Sequence, residues 1–307
     1  MSAITLILPR RARFPDRALR WGLTALAVGI LALIGFFFVR LAIEAQPALS
    51  RFGVLGFVFH NDWDVSRSFY GAAPLVVGTL ITSAIALVIG VPVALSAALF
   101  ITELCPRRLR APLTAMVELL AAVPSVVYGL WGIFVLIPKL KPLEAWLNGG
   151  PVAGPNYFIA GLILAIMILP IVCAVSREVL TTVPNEHKEA ALALGATRWE
   201  TIRMAVLPYA RPGITGGAML GLGRAIGETI AVTLVVGNAP QIGGSIFSQG
   251  YTLAAVIANE FGEAANDQIH RASLIAAGLV LFVLTLLVNV VARWFVVRGA
   301  RHQRIAA

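Results

Sequence analysis

Six stretches of the chain are long apolar runs with almost no charge: Trp21–Ile43, Leu75–Ile101, Ala115–Pro138, Tyr157–Ser176, Ile214–Val236 and Ala272–Val297. A hydrocarbon core about 30 Å thick needs roughly 20 apolar residues of helix. Each run meets that length, so the pattern predicts an all-α integral membrane protein with six transmembrane helices. The first run follows Arg10, Arg11, Arg13, Arg17 and Arg20. Its apolar core is too long for a secretory signal and no small-residue cleavage site follows it, so it reads as a retained span. Tyr251–Phe261 is apolar but too short to span, and reads as an interfacial helix on the outer face. Gln46–Tyr70 is polar and aromatic by turns, and its sequence assigns it no role.

Between the fourth and fifth runs the pattern changes to VPNEHKEAALALGATRWETIRMAVLPYARPG. Two short helices are expected there. Pro184 and Asn185 suit the start of the first, Gly195 divides the pair, and Thr197 with Glu200 has the spacing of a capping box for the second. Ala190 and Ala191 offer a smooth surface that a partner helix can approach closely. An amphipathic hairpin lying on the bilayer is the other arrangement this pattern allows.

Composition agrees with the spans. The chain has 307 residues, 59% hydrophobic and 13% charged, and a mean hydropathy of +0.86. Soluble domains carry about 25% charged residues. The basic residues fix a topology. With the N-terminus inside, seventeen of the 24 fall on the cytoplasmic side, in the N-terminal arm, at Arg107, Arg108 and Arg110, between Arg177 and Arg211, and after the last span. Six fall outside: Arg40, Arg51, Arg67, Lys139, Lys141 and Arg271. The positive-inside rule then places both termini in the cytoplasm, and the same rule accounts for a pI near 10.4 without nucleic acid. The two cysteines, Cys105 and Cys173, form neither a disulfide framework nor a metal site.

One run contradicts its own hydropathy. Ile214–Val236 carries Arg224 and Glu228 near its middle. Its nine Ile, Leu and Val residues favour insertion by roughly 0.3–0.6 kcal/mol each, while a central arginine costs about 2.5–3.5 kcal/mol and a carboxylate a similar amount. The two charges offset the apolar gain, so this helix is expected to turn them toward a bundle interior or a water-filled cavity. Gly213, Gly217, Gly221, Ala225, Thr229 and Thr233 recur every four positions, and Gly223, Gly227 and Ala231 form a second small-residue ridge suited to close helix packing. Arg224 and Glu228 stand four apart. On a continuous helix they share a face, either as a mutual salt bridge or as an arginine meeting an anion in transit with Glu228 positioning it. Arginine suits an oxyanion because its planar fork donates two parallel hydrogen bonds and stays charged. Glu118, in the third run, is the other charge expected deep in the membrane, lining the path or closing a network.

Glu189-Ala190-Ala191, Gly195 and Leu207-Pro208 together resemble the EAA loop of binding-protein-dependent ABC importer permeases of type I. The spacing matches throughout; Ala205 stands where the family has a branched aliphatic residue. ELLAAVPSVVYGLWG, from Glu118, and GRAIGETIAVTLVVGN, from Gly223, are similar to the phosphate-specific members. Ile230-Ala231 after the Gly-Glu-Thr fits the C-type rather than the A-type permease subunit. The resemblance implies a MetI-like permease domain over residues 72–298. A basic arm (1–20), a first helix with an external segment (21–71) and a cytoplasmic tail (299–307) flank it. It implies that the loop at about 178–212, through Glu189, Ala190, Ala191, Gly195, Leu207 and Pro208, docks on a cytoplasmic ATPase. It implies that Arg224 and Glu228 match residues associated with phosphate passage, and Thr229 and Glu118 are expected beside them in the substrate pathway. The implied partners are an A-type companion permease, two ATPase subunits that use ATP and magnesium, and an external phosphate-binding protein, all at a bacterial inner membrane.

The chain itself lacks the nucleotide site that such an importer needs. None of its three lysines, Lys139, Lys141 and Lys188, follows a glycine, so no P-loop is present. No cofactor is expected on this chain. GLGRAIG has the wrong spacing and context for a dinucleotide fingerprint, and the four histidines are scattered. Three rival readings stay open on sequence: the same architecture carrying sulfate, molybdate or phosphonate, an ion-coupled secondary transporter with a membrane Arg–Glu relay, and a membrane-embedded sensor of phosphate.

Overall fold

The computed structural model describes residues 13–305, with side chains from 18 to 294. Arg10 and Arg11 of the basic arm lie outside the described residues, as do the side chains of Arg13, Arg17 and the C-terminal tail. The regular elements of the described chain are helices apart from one small hairpin. In order it runs α1 (Arg13–Phe52), α2 (Val54–Phe59), β1 (Trp63–Asp64), β2 (Phe69–Tyr70), α3 (Ala73–Leu99), α4 (Arg107–Ala122), α5 (Ser125–Trp131), α6 (Ile137–Asn148) and α7 (Tyr157–Thr181). It continues with α8 (Asn185–Ala193), α9 (Arg198–Thr201), α10 (Leu207–Gly227), α11 (Ile230–Val235), α12 (Leu253–Glu260) and α13 (Gln268–Ile305). Wider π-helical turns extend α3 through Phe100–Leu104, join α5 to α6 through Gly132–Leu136, and join α9 to α10 through Ile202–Val206.

Among the described residues, five helices are long and apolar enough to cross a membrane: Ala18–Phe52, Ala73–Leu104, Ser125–Asn148, Tyr157–Thr181 and Gln268–Trp294. Two of the six expected runs differ. The run Ala115–Pro138 is cut at Val123, which is extended (ψ 126°) because the following Pro124 disfavours helical geometry. The crossing helix therefore starts at Ser125 and reaches Asn148, ten residues past the expected end. The run Ile214–Val236 is also not one helix: α10 stops at Gly227 and α11 begins at Ile230.

The centre is α7, whose most apolar stretch is 61% buried within this chain alone. Small residues let its neighbours close on it. A Cβ on Gly161 would meet the Ile85 side chain of α3, and one on Gly90 would stand 3.0 Å from the Ala165 carbonyl. On the other side the expected ridge of α10 packs as predicted: Gly213, Gly217 and Gly221 face Val179, Val175 and Val172 of α7. The second ridge is split: a Cβ placed on Gly223 or Gly227 would have no atom of the described residues within 4 Å, whereas Ala231 is buried. Asn156 starts α7, accepting from the Ile159 N–H at 2.9 Å and donating to Glu144 Oε2 at 3.0 Å.

The outer segment without a role in the sequence is folded and anchored. β1 and β2 pair antiparallel, with Trp63 opposite Tyr70, and both rings are buried. Trp63 Nε1 donates to Glu260 Oε2 at 3.0 Å, and His270 Nε2 is 3.0 Å from the same oxygen. The Tyr70 ring stacks on His270 with centroids 5.3 Å apart. The hairpin is thereby tied to α12 and to the first turn of α13. The short outer helix expected at Tyr251–Phe261 is α12.

Candidate functional site

Two interrupted helices pack against each other through α5 and α11. Gly129 makes this approach possible: a Cβ there would lie 3.1 Å from Ala231 Cα. Tyr128 Oη donates to the Leu120 carbonyl at 2.8 Å, bridging the interruption at Val123–Pro124. The other interruption lies at Glu228 and Thr229. Glu228 is extended (φ −71°, ψ 131°), so it no longer continues the helical face of Arg224. The expectation that the pair shares one face through i, i+4 spacing is corrected here: the helix ends one residue before Glu228.

Freed from that geometry, the two charges separate. Glu228 Oε1 accepts from the Ala231 N–H at 3.4 Å and so turns toward the first turn of α11. Thr229, half-buried, donates from its hydroxyl to the Gly227 carbonyl at 3.3 Å, and its own carbonyl accepts from the Thr233 hydroxyl at 2.9 Å. Arg224 stands exposed in the last turn of α10, where the carbonyl end of the helix favours a cation. Among the described residues no carboxylate lies within ion-pair distance of it, and it is within coulombic reach of the Tyr128 hydroxyl. The guanidinium is thus left open at the junction of two broken helices. That is the arrangement an anion passing through an apolar region requires, because the cost of the arginine is offset only when a negative group or water meets it.

Glu118 is committed to a partner other than Arg224. Its Oε1 pairs with Arg177 Nη2 at 3.1 Å, and its side chain is 60% exposed. The same Arg177 donates to the Thr114 hydroxyl at 2.5 Å. Glu118 joins α4 to the C-terminal part of α7. The deeply buried carboxyl is Glu144 of α6, 1% exposed, with Oε1 unpartnered within the chain. The apolar pattern does not reveal it, because the third run ends at Pro138, six residues before Glu144.

The loop before α10 has the two-helix form expected of it. Gly195 takes φ +85°, a left-handed conformation natural to glycine. The Ala196 N–H reaches back to the Ala191 carbonyl at 3.1 Å and closes the end of α8. The capping box forms: the Glu200 N–H donates to Thr197 Oγ1 at 3.3 Å, and the Thr197 N–H to Glu200 Oε2 at 2.7 Å. These backbone and hydroxyl donations hold the Glu200 carboxyl below the usual carboxylate range. Glu189 and Ala190 are exposed and Ala191 is half-buried. Leu194 and Trp199 beside them are exposed too, at 90% and 63%. Leu207 and Pro208 begin α10, where a proline without an N–H is tolerated. Lys188 Nζ, next to Glu189, is 2.7 Å from Glu103 Oε1 in the last turn extending α3. That tie was not evident in the sequence, since the two residues are 85 positions apart.

Known proteins match this chain along most of its length. Residues 90–299 match the family described as binding-protein-dependent transport system inner membrane component. The chain is 44% identical over 303 residues to the phosphate transport system permease protein PstC of Mesorhizobium japonicum, covering 94% of this chain and 92% of the relative. It is 42% identical to PstC of Pasteurella multocida, covering 89% and 88%, and 43% identical to PstC 2 of Mycobacterium tuberculosis, covering 95% and 94%. A crystal structure of a bacterial alginate ABC transporter in complex with an alginate-bound periplasmic protein contains a chain that aligns with TM-score 0.64 at 19% identity, over 94% of this chain and 98% of that one. A second alginate importer structure gives TM-score 0.60 at the same identity, over 91% and 98%. These two structures bear on the fold alone.

Proposed function

The chain belongs to the binding-protein-dependent transport system inner membrane components, and from that premise we propose that it is a transmembrane permease subunit of an ATP-driven inorganic phosphate importer. The observation that carries the reading is the open guanidinium of Arg224 at the junction of the two interrupted helices. The names of its 40–44% identical relatives support phosphate as the cargo. Phosphate is charged and rich in acceptor oxygens, and a planar guanidinium meets two of them at once. Glu228 and Thr229 shape the break that exposes the arginine. Glu118 acts from the α4–α7 contact and not beside the ion.

The working assembly contains a companion A-type permease, two cytoplasmic ATPases that use ATP and magnesium, and an external phosphate-binding protein. Glu189, Ala190, Ala191 and Gly195 form the face that meets the ATPase. Exposed Leu194 and Trp199 give that face an apolar character suited to a groove. Closure of the ATPases moves α8 and α9, and the rigid joint at Leu207–Pro208 passes the motion into α10 and so to Arg224.

Radiolabelled phosphate uptake in cells lacking the gene, with and without the wild-type copy, tests the reading. Restored uptake that excess sulfate does not inhibit is the expected result. An assembled complex that restores sulfate or molybdate uptake instead would transfer the same architecture to another oxyanion.

A further inference from the structure

The apolar residues of α4 do not close completely against the end of α3: Leu113, Val117 and Val123 also pack on the core around α7, while Met116 and Leu120 stay exposed. Leu113, Met116, Val117, Leu120 and Val123 form one wall of a groove, and Ala97, Phe100 and Ile101 of α3 and its π-helical extension form the other. The groove has a volume of about 490 Å³ and an almost wholly hydrocarbon lining. It follows α4 from Leu113 to the helix end at Ala122, about 14 Å of helix, and closes at Val123.

The end of α4 from which this groove runs is strongly basic. Arg107, Arg108 and Arg110 occupy its first residues, just past the Cys105–Pro106 turn. Two nearby cations are already committed: Arg110 Nη2 donates to the Thr102 carbonyl at 2.6 Å, and Lys188 pairs with Glu103 at 2.7 Å. Arg107 and Arg108 are exposed, and among the described residues neither has a carboxylate within ion-pair distance. The π-helical turn at Phe100–Leu104 widens the end of α3 at the basic mouth, and its side chains Phe100 and Ile101 line the groove.

An apolar groove along a helix that starts with two exposed, unpaired arginines has the charge and the hydrocarbon lining that suit a phospholipid with a negative headgroup. We propose that this groove seats one acyl chain of an anionic phospholipid, whose phosphate is held by Arg107 and Arg108. Basic pockets beside transmembrane helices take such headgroups because the acyl chain supplies burial and the arginines supply selectivity. A neighbouring permease subunit would cover the apolar walls equally well but would leave both guanidinium groups without a counter-charge. The lipid occupies a seam between the end of α3, to which Lys188 ties the loop, and α4, which Glu118 ties to α7. Its presence therefore stiffens the scaffold against which the loop moves. The proposal is independent of which anion the protein carries.

The test is native mass spectrometry of the full chain assembled with its companion subunits, extracted from vesicles holding equal phosphatidylglycerol and phosphatidylcholine and then delipidated stepwise. One phosphatidylglycerol per chain is retained after the phosphatidylcholine has gone. The double variant Arg107→Gln with Arg108→Gln lowers that retention about 30-fold, each arginine contributing roughly fivefold. Ala97→Phe fills the groove from the α3 wall and lowers retention while both arginines remain. Equal retention of the two lipids by the wild-type complex would mean annular lipid only and would overturn the proposal. So would a Met116→Cys complex that cross-links to another subunit and stays shielded from a bilayer-soluble maleimide after delipidation.

Discussion

Lys188 Nζ lies 2.7 Å from Glu103 Oε1, and both side chains are mostly withdrawn from solvent, at 23% and 16% exposure. This bond ties the first loop helix to the end of α3, one residue away from Glu189. A charge-assisted bond of this kind contributes about 2 kcal/mol. Glu103→Gln is therefore expected to loosen α8 without disturbing the span. ATP hydrolysis by the assembled importer should persist while phosphate moved per ATP falls several-fold. Exchanging the partners, with Lys at 103 and Glu at 188, should restore much of the ratio. Unchanged stoichiometry in Glu103→Gln would mean that the loop is held by other contacts.

Arg224 gives the second prediction. Arg224→Ala removes the only basic group in α10 and α11 near the break. It should abolish uptake while the subunit still assembles, because no ion pair among the described residues depends on it. Arg224→Lys keeps the charge and loses the planar fork, so it should retain a residue of activity, reduced roughly 30- to 150-fold for a loss of about 2–3 kcal/mol at one bidentate contact. Initial uptake rates, alongside the amount of complex in the membrane, separate the two effects. Normal uptake by Arg224→Ala would remove this residue from the pathway.

How much of this was legible in the sequence depends on the range of the interactions. The spans and the loop are written in local patterns. Apolar run length marks α1, α3, α7 and α13, and the Thr197–Glu200 spacing marks α9, because each is decided by residues within one or two helical turns. The break at Glu228 was not legible. Nothing in Gly227-Glu228-Thr229 forbids a helix, and the interruption is stabilised by packing of α11 on α5, a contact made between elements far apart in the chain. The partner of Glu118 was hidden for the same reason: Arg177 is 59 positions away. Glu144 was hidden because the apolar run ends at Pro138, whereas α6 continues past it through Pro142 to Asn148.

The capping box makes a prediction about pH. Glu200 is held below the ordinary carboxylate range, first by the Thr197 N–H and then by the Thr197 hydroxyl. A depressed carboxyl stabilises the folded loop above the ordinary carboxylate pKa. That contribution is lost as pH falls through the depressed value. Amide exchange in α9 should therefore rise on acidification toward and below the usual carboxylate range, ahead of exchange in α7. In Thr197→Ala the Oγ acceptor is gone, the first turn should exchange faster even at neutral pH, and the acid step should shrink. An acid step of the same size in Thr197→Ala and wild type would place its origin elsewhere.

The last prediction separates glycines that the fold needs from those it merely contains. Gly78 of α3 has the Tyr251 carbonyl where a methyl would stand, and backbone atoms cannot swing aside as a side-chain tip can. Gly78→Ala should force α3 away from the Tyr251–Thr252 turn. That movement strains the bond in which the Leu253 N–H donates to the Thr79 hydroxyl at 3.0 Å. Overpacking of this kind costs about 1–3 kcal/mol. Gly216 of α10 has no atom of this chain within 4 Å of the same position. At Gly216 an alanine removes only the conformational freedom of glycine, which in a helix interior stabilises by roughly 0.5–1 kcal/mol. The unfolding midpoint of the purified complex should fall for Gly78→Ala and hold or rise for Gly216→Ala. A fall at Gly216 as large as at Gly78 would have a different meaning: another subunit's helix packs on that face of α10, and the small-residue surface there serves the assembly.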